Sequence, residues 1–465
     1  MKKAVLYLIP IIILACNKQT AENTFADMLI KNITLIDGTG NSELYNQNIY
    51  LKEGRILKID TLSNYTLADT IIDGSGKYLI PGLFDNHIHL SKDPIRRLKQ
   101  FIHFGITNVF VPGSSAAPYA TLKQLDSLER NNLITAPKFW YTSPYVTLEN
   151  AHPAKTQPET KWVDGENIYF LKDDSSIPKI ISDAKANGAI GIKIDIEDGP
   201  EPPFIERIDS ALIRRVADEA HANNLMLVSH VSDMEEVRLS VENGVDAIMH
   251  SPYPSFDWEK DMELIERIKK DSIYLVTTGN MRAFIDYPLH PEKLESEHWK
   301  IFDKELESIN ETLEKDKEIA KITITKFFGL ELDTYEQYID YPNEGNFRKL
   351  DSMGINIVVG TDVGTPIYNV PGLGVHEELQ LYQNGGMDPI RIIKCASLNA
   401  ATMLGVQDNY GTIETGKYGN MVILNKNPLE DISNTLSIDV VIKNGEIQER
   451  ITNANNGNRC TRPNK

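Results

Sequence analysis

The sequence predicts an α/β protein: a (β/α)8 TIM-like barrel with a composite β-sandwich built from N- and C-terminal segments. Three observations predict it. Apolar strand-like runs alternate with amphipathic helical segments through the middle of the chain, turn-rich β segments flank that middle on both sides, and polar side chains gather at the ends of the strand-like runs. With 465 residues, the chain is long enough for one large domain and a smaller one.

The first residues, "MKKAVLYLIPIIILAC", place Lys2 and Lys3 before an apolar run too short for a membrane span, and then Cys16. Residues 1–16 therefore read as a signal peptide. Ile13-Leu14-Ala15-Cys16 resembles a bacterial lipobox, in which the cysteine is lipidated. Ile13 stands where leucine is commoner, so a simple secretory signal is the alternative. The expected product is an exported, membrane-anchored lipoprotein facing the periplasm or cell surface of a bacterium. Loss of two lysines would take the formal charge from -18 to -20.

Residues 27–80 read as short strands broken by turns, as in "MLIKNITLIDGTG" and "NIYLKEGRILKID". Residues 411–448 repeat the pattern with "GNMVILN" and "DVVIKNGEIQE", and the two segments are expected to pair into one sandwich. Between them, over 81–410, the helical connectors and parallel strands fit either a closed barrel or a doubly wound sheet. Candidate strands fall at 83–90, 106–113, 138–143, 190–196, 225–230, 246–250, 272–278 and 356–362, and eight of them favour the barrel. The stretch from about 258 to 347 exceeds one crossover and contains a long helical pattern. It is read as an insertion near the barrel mouth that could serve as a lid. Residues 449–465 read as a disordered polar tail.

The net charge of -18, with no basic run interleaved with aromatics, argues against nucleic-acid binding. Of the three cysteines, Cys395 lies in an apolar helical pattern and Cys460 in the polar tail, so neither has a nucleophile's setting.

Alternate residues of a strand share a face, so "LFDNHIHL" presents His87 and His89 to one side at metal-ligand separation. In a (β/α)8 barrel the reactive side chains collect at the C-terminal strand ends. Those ends carry His87 and His89, Lys193, His230, His250 and Asp362. Singly, each has a plain alternative: a satisfied core histidine, a snorkelling lysine, or for Asp362 a helix N-cap.

This constellation resembles the amidohydrolase superfamily, in particular its imidazolonepropionase-like and metal-dependent prolidase-like branch. The likeness rests on "PGLFDNHIH", "GIKI", "SHVSDMEEVRLSVENGVDAIMH" and "VGTDVG", and covers roughly residues 27–448. The resemblance implies that His87, His89 and Asp362 hold one divalent cation and His230 and His250 a second, both most simply zinc. Lys193 would bridge them as a CO2-derived carbamate, and Asp362 would also carry the proton during catalysis. Cys16 would be the lipidated residue. His152, in "TLENAHPA", takes the place of a loop histidine that touches the substrate carbonyl oxygen in the family. The glycines usual around it are missing, which leaves a surface histidine as the alternative. Tyr253, Tyr368 and the "YTSPY" segment are candidate pocket residues. His376-Glu377 lacks the second histidine of a zincin motif.

The implied activity is hydrolysis of an amide-type C-N bond by a hydroxide held between the cations. The substrate would be a small molecule or short peptide: a dipeptide, an N-acyl amino acid or a cyclic amide. Two rivals remain open at this level: a single-metal imidazolonepropionase-type ring hydrolase, and an inactive metal-holding lipoprotein that only binds.

Overall fold

The computed structural model describes residues 26–62, 67–90, 93–113, 118–158, 160–199, 204–252, 255–327, 330–332, 342–364 and 368–451. The leader with Cys16, residue Tyr253 and the tail from 452 onward lie outside the described residues. In chain order the strands are β1 (Ala26–Leu35), β2 (Leu44–Lys52), β3 (Arg55–Asp60), β4 (Ala68–Asp73), β5 (Tyr78–Pro81), β6 (Leu83–Asp85), β7 (Ile106–Val111), β8 (Lys138–Thr147) and β9 (Ile168–Phe170). They continue with β10 (Gly191–Asp195), β11 (Met226–His230), β12 (Ala247–Met249), β13 (Tyr274–Thr277), β14 (Asn356–Val359), β15 (Met421–Leu424), β16 (Ile438–Lys443) and β17 (Glu446–Ile447).

The two flanking segments join in one mixed sheet of order β17-β16-β15-β5-β1-β2-β3, with β4 paired to β1. Strand alternation explains how this sheet is fixed to the rest of the protein. On β15, Met421 and Ile423 enter the sheet's own core with Ile30, Ile49 and Leu79, whereas Val422 and Leu424 enter the barrel core with Ile80. A one-residue slip of β15 against β5 would exchange the two faces, so the register is strongly specified.

The parallel strands run in the order β14-β13-β12-β11-β10-β8-β7-β6, with the short β9 beside β8. All eight predicted barrel strands are present. The seam between β6 and β14 is closed just beyond the strand ends. Asn86 donates through N and Nδ2 to the Val359 carbonyl at 3.0 and 2.9 Å, Asp362 N donates to His87 O at 2.7 Å, and His89 N donates to Val363 O at 2.7 Å. Buried apolar runs such as Ile192 and Ile194 on β10, with Ile196 just after it, line the layer between barrel and helices. The helix Ser210–Ala222 faces that layer with Ile213, Val216, Ala217 and Ala220, and Asp209 caps it by accepting from Leu212 N at 2.9 Å.

The expected insertion falls between β13 and β14; residues 258–277 form an ordinary barrel helix (Met262–Lys270) and β13 itself. Its long helix, Asp303–Ile322, passes directly into a π turn, Thr323–Phe327. The insertion is tied down at both ends of that helix: Arg96 Nη1 donates to Glu305 at 3.2 Å, and Tyr368 Oη donates to Asp316 at 2.9 Å. Tyr368, a candidate pocket residue, is buried and stacked on Tyr287. Residues 449–451, read as the start of the polar tail, are among the described residues. Arg450 donates to the carbonyls of His103 and Ile438 at 3.1 and 2.8 Å, which holds 449–451 on the barrel because one guanidinium satisfies two carbonyls.

His376 lies buried in the helix Leu373–Asn384, with Nδ1 2.8 Å from Thr435 Oγ1 and Nε2 2.9 Å from Phe104 O. Burial pushes its pKa down to about 4. The unfolded chain therefore binds a proton that the folded chain refuses between the ordinary histidine value and about 4, so this group contributes stability that is lost as pH falls through that window. Lowering the pH from about 7.5 to about 5.5 should cost about 1.4 kcal/mol through this group. Urea unfolding of the wild type and of His376→Gln should show a shallower pH slope in the variant; equal slopes would refute the assignment.

Candidate metal centre

The seam that closes the barrel also assembles the first group of ligands. His87 and His89 stand on one side of the chain beyond β6, ring centroids 5.2 Å apart, while Ile88 points into the core. Asp362 arrives from beyond β14, its Oδ1 2.8 Å from His89 Nε2 and 3.4 Å from His87 Nε2. Its backbone has φ 58, a left-handed conformation that aspartate tolerates better than most residues. Gly364 follows because a Cβ there would stand 2.7 Å from the Cβ of His89, at a φ of +133.

Asp85 locks this arrangement. It is fully buried and accepts from Thr361 N at 3.0 Å, Thr361 Oγ1 at 2.6 Å and His87 N at 3.3 Å, so one carboxyl pins both sides of the seam. Burial raises its pKa to about 7 against the pull of these hydrogen bonds. Burial likewise holds His87 well below the usual histidine value, which keeps it neutral and able to ligate.

Strand β10 supplies the opposite wall. In "IKIDIE" the isoleucines face the helices, and Lys193, Asp195 and Glu197 share the other face. Lys193 is fully buried, and its Nζ makes no hydrogen bond. Burial pushes its pKa down to about 8, against the opposing charges of Asp195 and Asp362. Gly113, at the end of β7, is needed for this packing: a Cβ there would lie 2.7 Å from Lys193 Cγ. Asp195 is also fully buried, with Oδ2 unpartnered by hydrogen bonds.

His230 and His250 end the next two strands. His250 adopts φ 77, and its Nδ1 lies 2.8 Å from Thr278 Oγ1, which leaves Nε2 facing His230 Nδ1 at 2.9 Å. On its far side His230 Nε2 is 2.9 Å from Glu197 Oε2. Burial alone would depress His230, yet Asp195 and Glu197 hold it up at about 9. The rings of His87 and His250 are 4.6 Å apart and those of His230 and His250 4.4 Å, so the two histidine groups meet across one cleft.

The structure thus brings together all six residues singled out as ligands. His152 joins them: its ring stacks on His230 at 5.2 Å, and its Nδ1 accepts or donates at Thr156 Oγ1, 2.7 Å away. Of the "YTSPY" segment, Tyr145 approaches His89, with ring centroids 6.3 Å apart, whereas Tyr141 turns away to donate to Asn187 O at 2.7 Å. Sequence reasoning missed Asp85, Asp195 and Glu197. Strand alternation, applied onward from Lys193, would have pointed to the two carboxylates beyond it. A separate cavity of 490 Å3 lies beside Arg282, Asp286 and Glu377, and none of the six ligand candidates lines it.

The donor set fits divalent cations. Among the described residues three groups have ligand atoms within 4.8 Å of one another: His87 with His89 and Asp362, and His152 with Glu197 and His230, both on this cleft, and Asp198 with Asp233 and Glu236 behind it. Buried nitrogens and oxygens without hydrogen bonds, at Lys193 Nζ and Asp362 Oδ1, are what a metal or a modification would satisfy.

The family model described as "Amidohydrolase family" matches residues 78–448. The chain belongs to the amidohydrolase family. This amidohydrolase is accordingly a metal-dependent hydrolase acting on C-N bonds. It is 23% identical over 433 residues to an imidazolonepropionase of Caldanaerobacter subterraneus subsp. tengcongensis, covering 86% of this chain and 91% of that protein. It is 26% identical over 174 residues to adenine deaminase 2 of Latilactobacillus sakei subsp. sakei, a match covering 35% of this chain and only 29% of that protein. Its fold is similar to that of a Xaa-Pro dipeptidase crystallised with methionine in the active site, at TM-score 0.67 and 19% identity, over 91% of this chain and 99% of that one.

Proposed function

We propose that this amidohydrolase cleaves an amide-type C-N bond in a dipeptide, an N-acyl amino acid or a cyclic amide. The observation that carries this reading is the convergence of two histidine groups on one cleft, close enough to a fully buried lysine with no hydrogen bond at its amine for its charge to act on both His87 and His250. His87, His89 and Asp362 would hold one zinc ion and His230 and His250 a second, with Lys193 as the bridging carbamate. When bound, the pair would polarise a carbonyl and lower the pKa of a water. Asp362, whose Oδ1 lies within 3.4 Å of both leading histidines, is placed to take the proton from the attacking water. It would take that proton as the C-O bond forms and return it to the departing nitrogen as the C-N bond breaks. His152 borders the same cleft and is suited to donate to the carbonyl oxygen. The apolar leader ending at Cys16 supports an exported chain anchored through lipid, with a simple secretory signal as the alternative.

The test is a panel of dipeptides, N-acyl amino acids and cyclic amides, including an imidazolone, assayed for ring opening or release of an amine. At least one amide class should be turned over, the activity falling on chelation and returning with zinc. Turnover confined to the imidazolone by a protein holding one cation would replace this reading with the ring hydrolase. A protein with two cations and no turnover across the panel would favour the binding lipoprotein.

A further inference from the structure

Resting on that reading of the site, we propose that Glu197 is the positioning carboxylate of the second cation. By accepting the Nε2 proton of His230, it fixes Nδ1 of that ring as the atom facing the metal. Three observations carry it. His230 Nε2 is 2.9 Å from Glu197 Oε2, so the opposite nitrogen is the one left to ligate. That nitrogen lies 2.9 Å from Nε2 of His250, whose own Nδ1 is 2.8 Å from Thr278 Oγ1, so one ring nitrogen from each histidine faces the other across the cleft. And Glu197 is itself held. Its backbone N donates to Asp195 Oδ1 at 3.2 Å, and the next residue, Asp198, donates through N to Glu236 at 3.1 Å.

Glu236 is fully buried in the helix Met234–Glu242 and accepts also from Ser232 N and Asp233 N, at 2.5 and 3.3 Å. One carboxylate therefore clamps the loop leaving β10, which carries Glu197, to the loop leaving β11, which follows His230. The distance between Glu197 and the ring is set by this clamp and does not depend on a flexible surface pair. A carboxylate behind a metal-bound imidazole raises its basicity and holds its orientation, and loss of such a partner typically weakens metal binding by about 10- to 100-fold.

A direct-ligand role is the competing arrangement, because His152, Glu197 and His230 also lie within ligating reach of one another. The two differ in what His152 does. The experiment is zinc titration of the apoprotein against a chromophoric chelator, with the visible spectrum of the cobalt-substituted protein as a second readout, on wild type, Glu197→Gln, Glu197→Ala and His152→Ala. Two cations in wild type, a tenfold or greater weakening of one of them in Glu197→Ala with a smaller one in Glu197→Gln, and both sites kept in His152→Ala would support the positioning role. Loss of one cation in His152→Ala would overturn it in favour of direct ligation. Two sites of unchanged affinity and an unchanged cobalt spectrum in Glu197→Ala would overturn it outright. A wild type that binds a single cation would instead refute the two-metal reading on which the proposal stands.

Discussion

Replacing Lys193 with alanine should lower the zinc content of the purified protein from near two ions per chain towards one. The reasoning starts from burial. An ammonium group taken fully out of water with no hydrogen bond is costly by several kcal/mol, and Lys193 has that environment. Neutralisation alone would relieve the cost but leave a polar atom unsatisfied. Reaction with CO2 would do more: the amine nitrogen would bond to carbon, a proton would leave, and the product would be an anion with two oxygens able to ligate. Burial already favours the neutral, reactive amine by pushing its pKa down to about 8. The same chemistry predicts that apoprotein reconstituted in CO2-depleted buffer takes up the second zinc only after bicarbonate is added. Metal analysis of the variant and of the depleted protein checks both statements. Equal metal content in wild type and variant would make Lys193 a buried strand lysine and remove the bridge from the site.

The eight barrel strands were legible because parallel strands covered on both faces read as unbroken apolar runs, as in "ITNVFV" and "NIVV". Five of the six ligand candidates were legible because they lie at or just beyond the ends of those runs, and Lys193 because it is a lone lysine inside one. What stayed hidden lies where irregular backbone overrides the pattern. Strand β8 runs on to Thr147 past Pro144, with a register shift against β10 between Gly191 and Lys193, and this extension gives β9 its partner. The strand expected at 138–143 stops one residue short of that proline. Asp85 looked like the residue before a metal motif, and only the seam reveals it as a clamp on Thr361. The conformation of His250, with φ 77, has no signature in "DAIMH". Glu197 differs from these, because its spacing from Lys193 was visible; its meaning came only with the position of the His230 ring.

Asp362→Asn should lower kcat by about 10²- to 10⁴-fold, the range general acid-base groups contribute. Asparagine keeps the shape of the side chain and tolerates the left-handed backbone at φ 58, so the seam bond from residue 362 N to His87 O should survive. It cannot take a proton from water. The variant therefore separates two roles that the wild-type carboxylate combines, ligation beside His89 and His87 and proton transfer to the leaving nitrogen. If proton transfer dominates, zinc content stays near that of the wild type while kcat collapses and KM moves little. If ligation dominates, zinc content falls with activity, and excess zinc restores part of both. Steady-state kinetics paired with metal analysis distinguishes these outcomes. Full turnover by a variant that keeps its zinc would remove Asp362 from the proton path and direct attention to the other carboxylates on the cleft, Asp195 and Glu197, which share the face of β10 with Lys193.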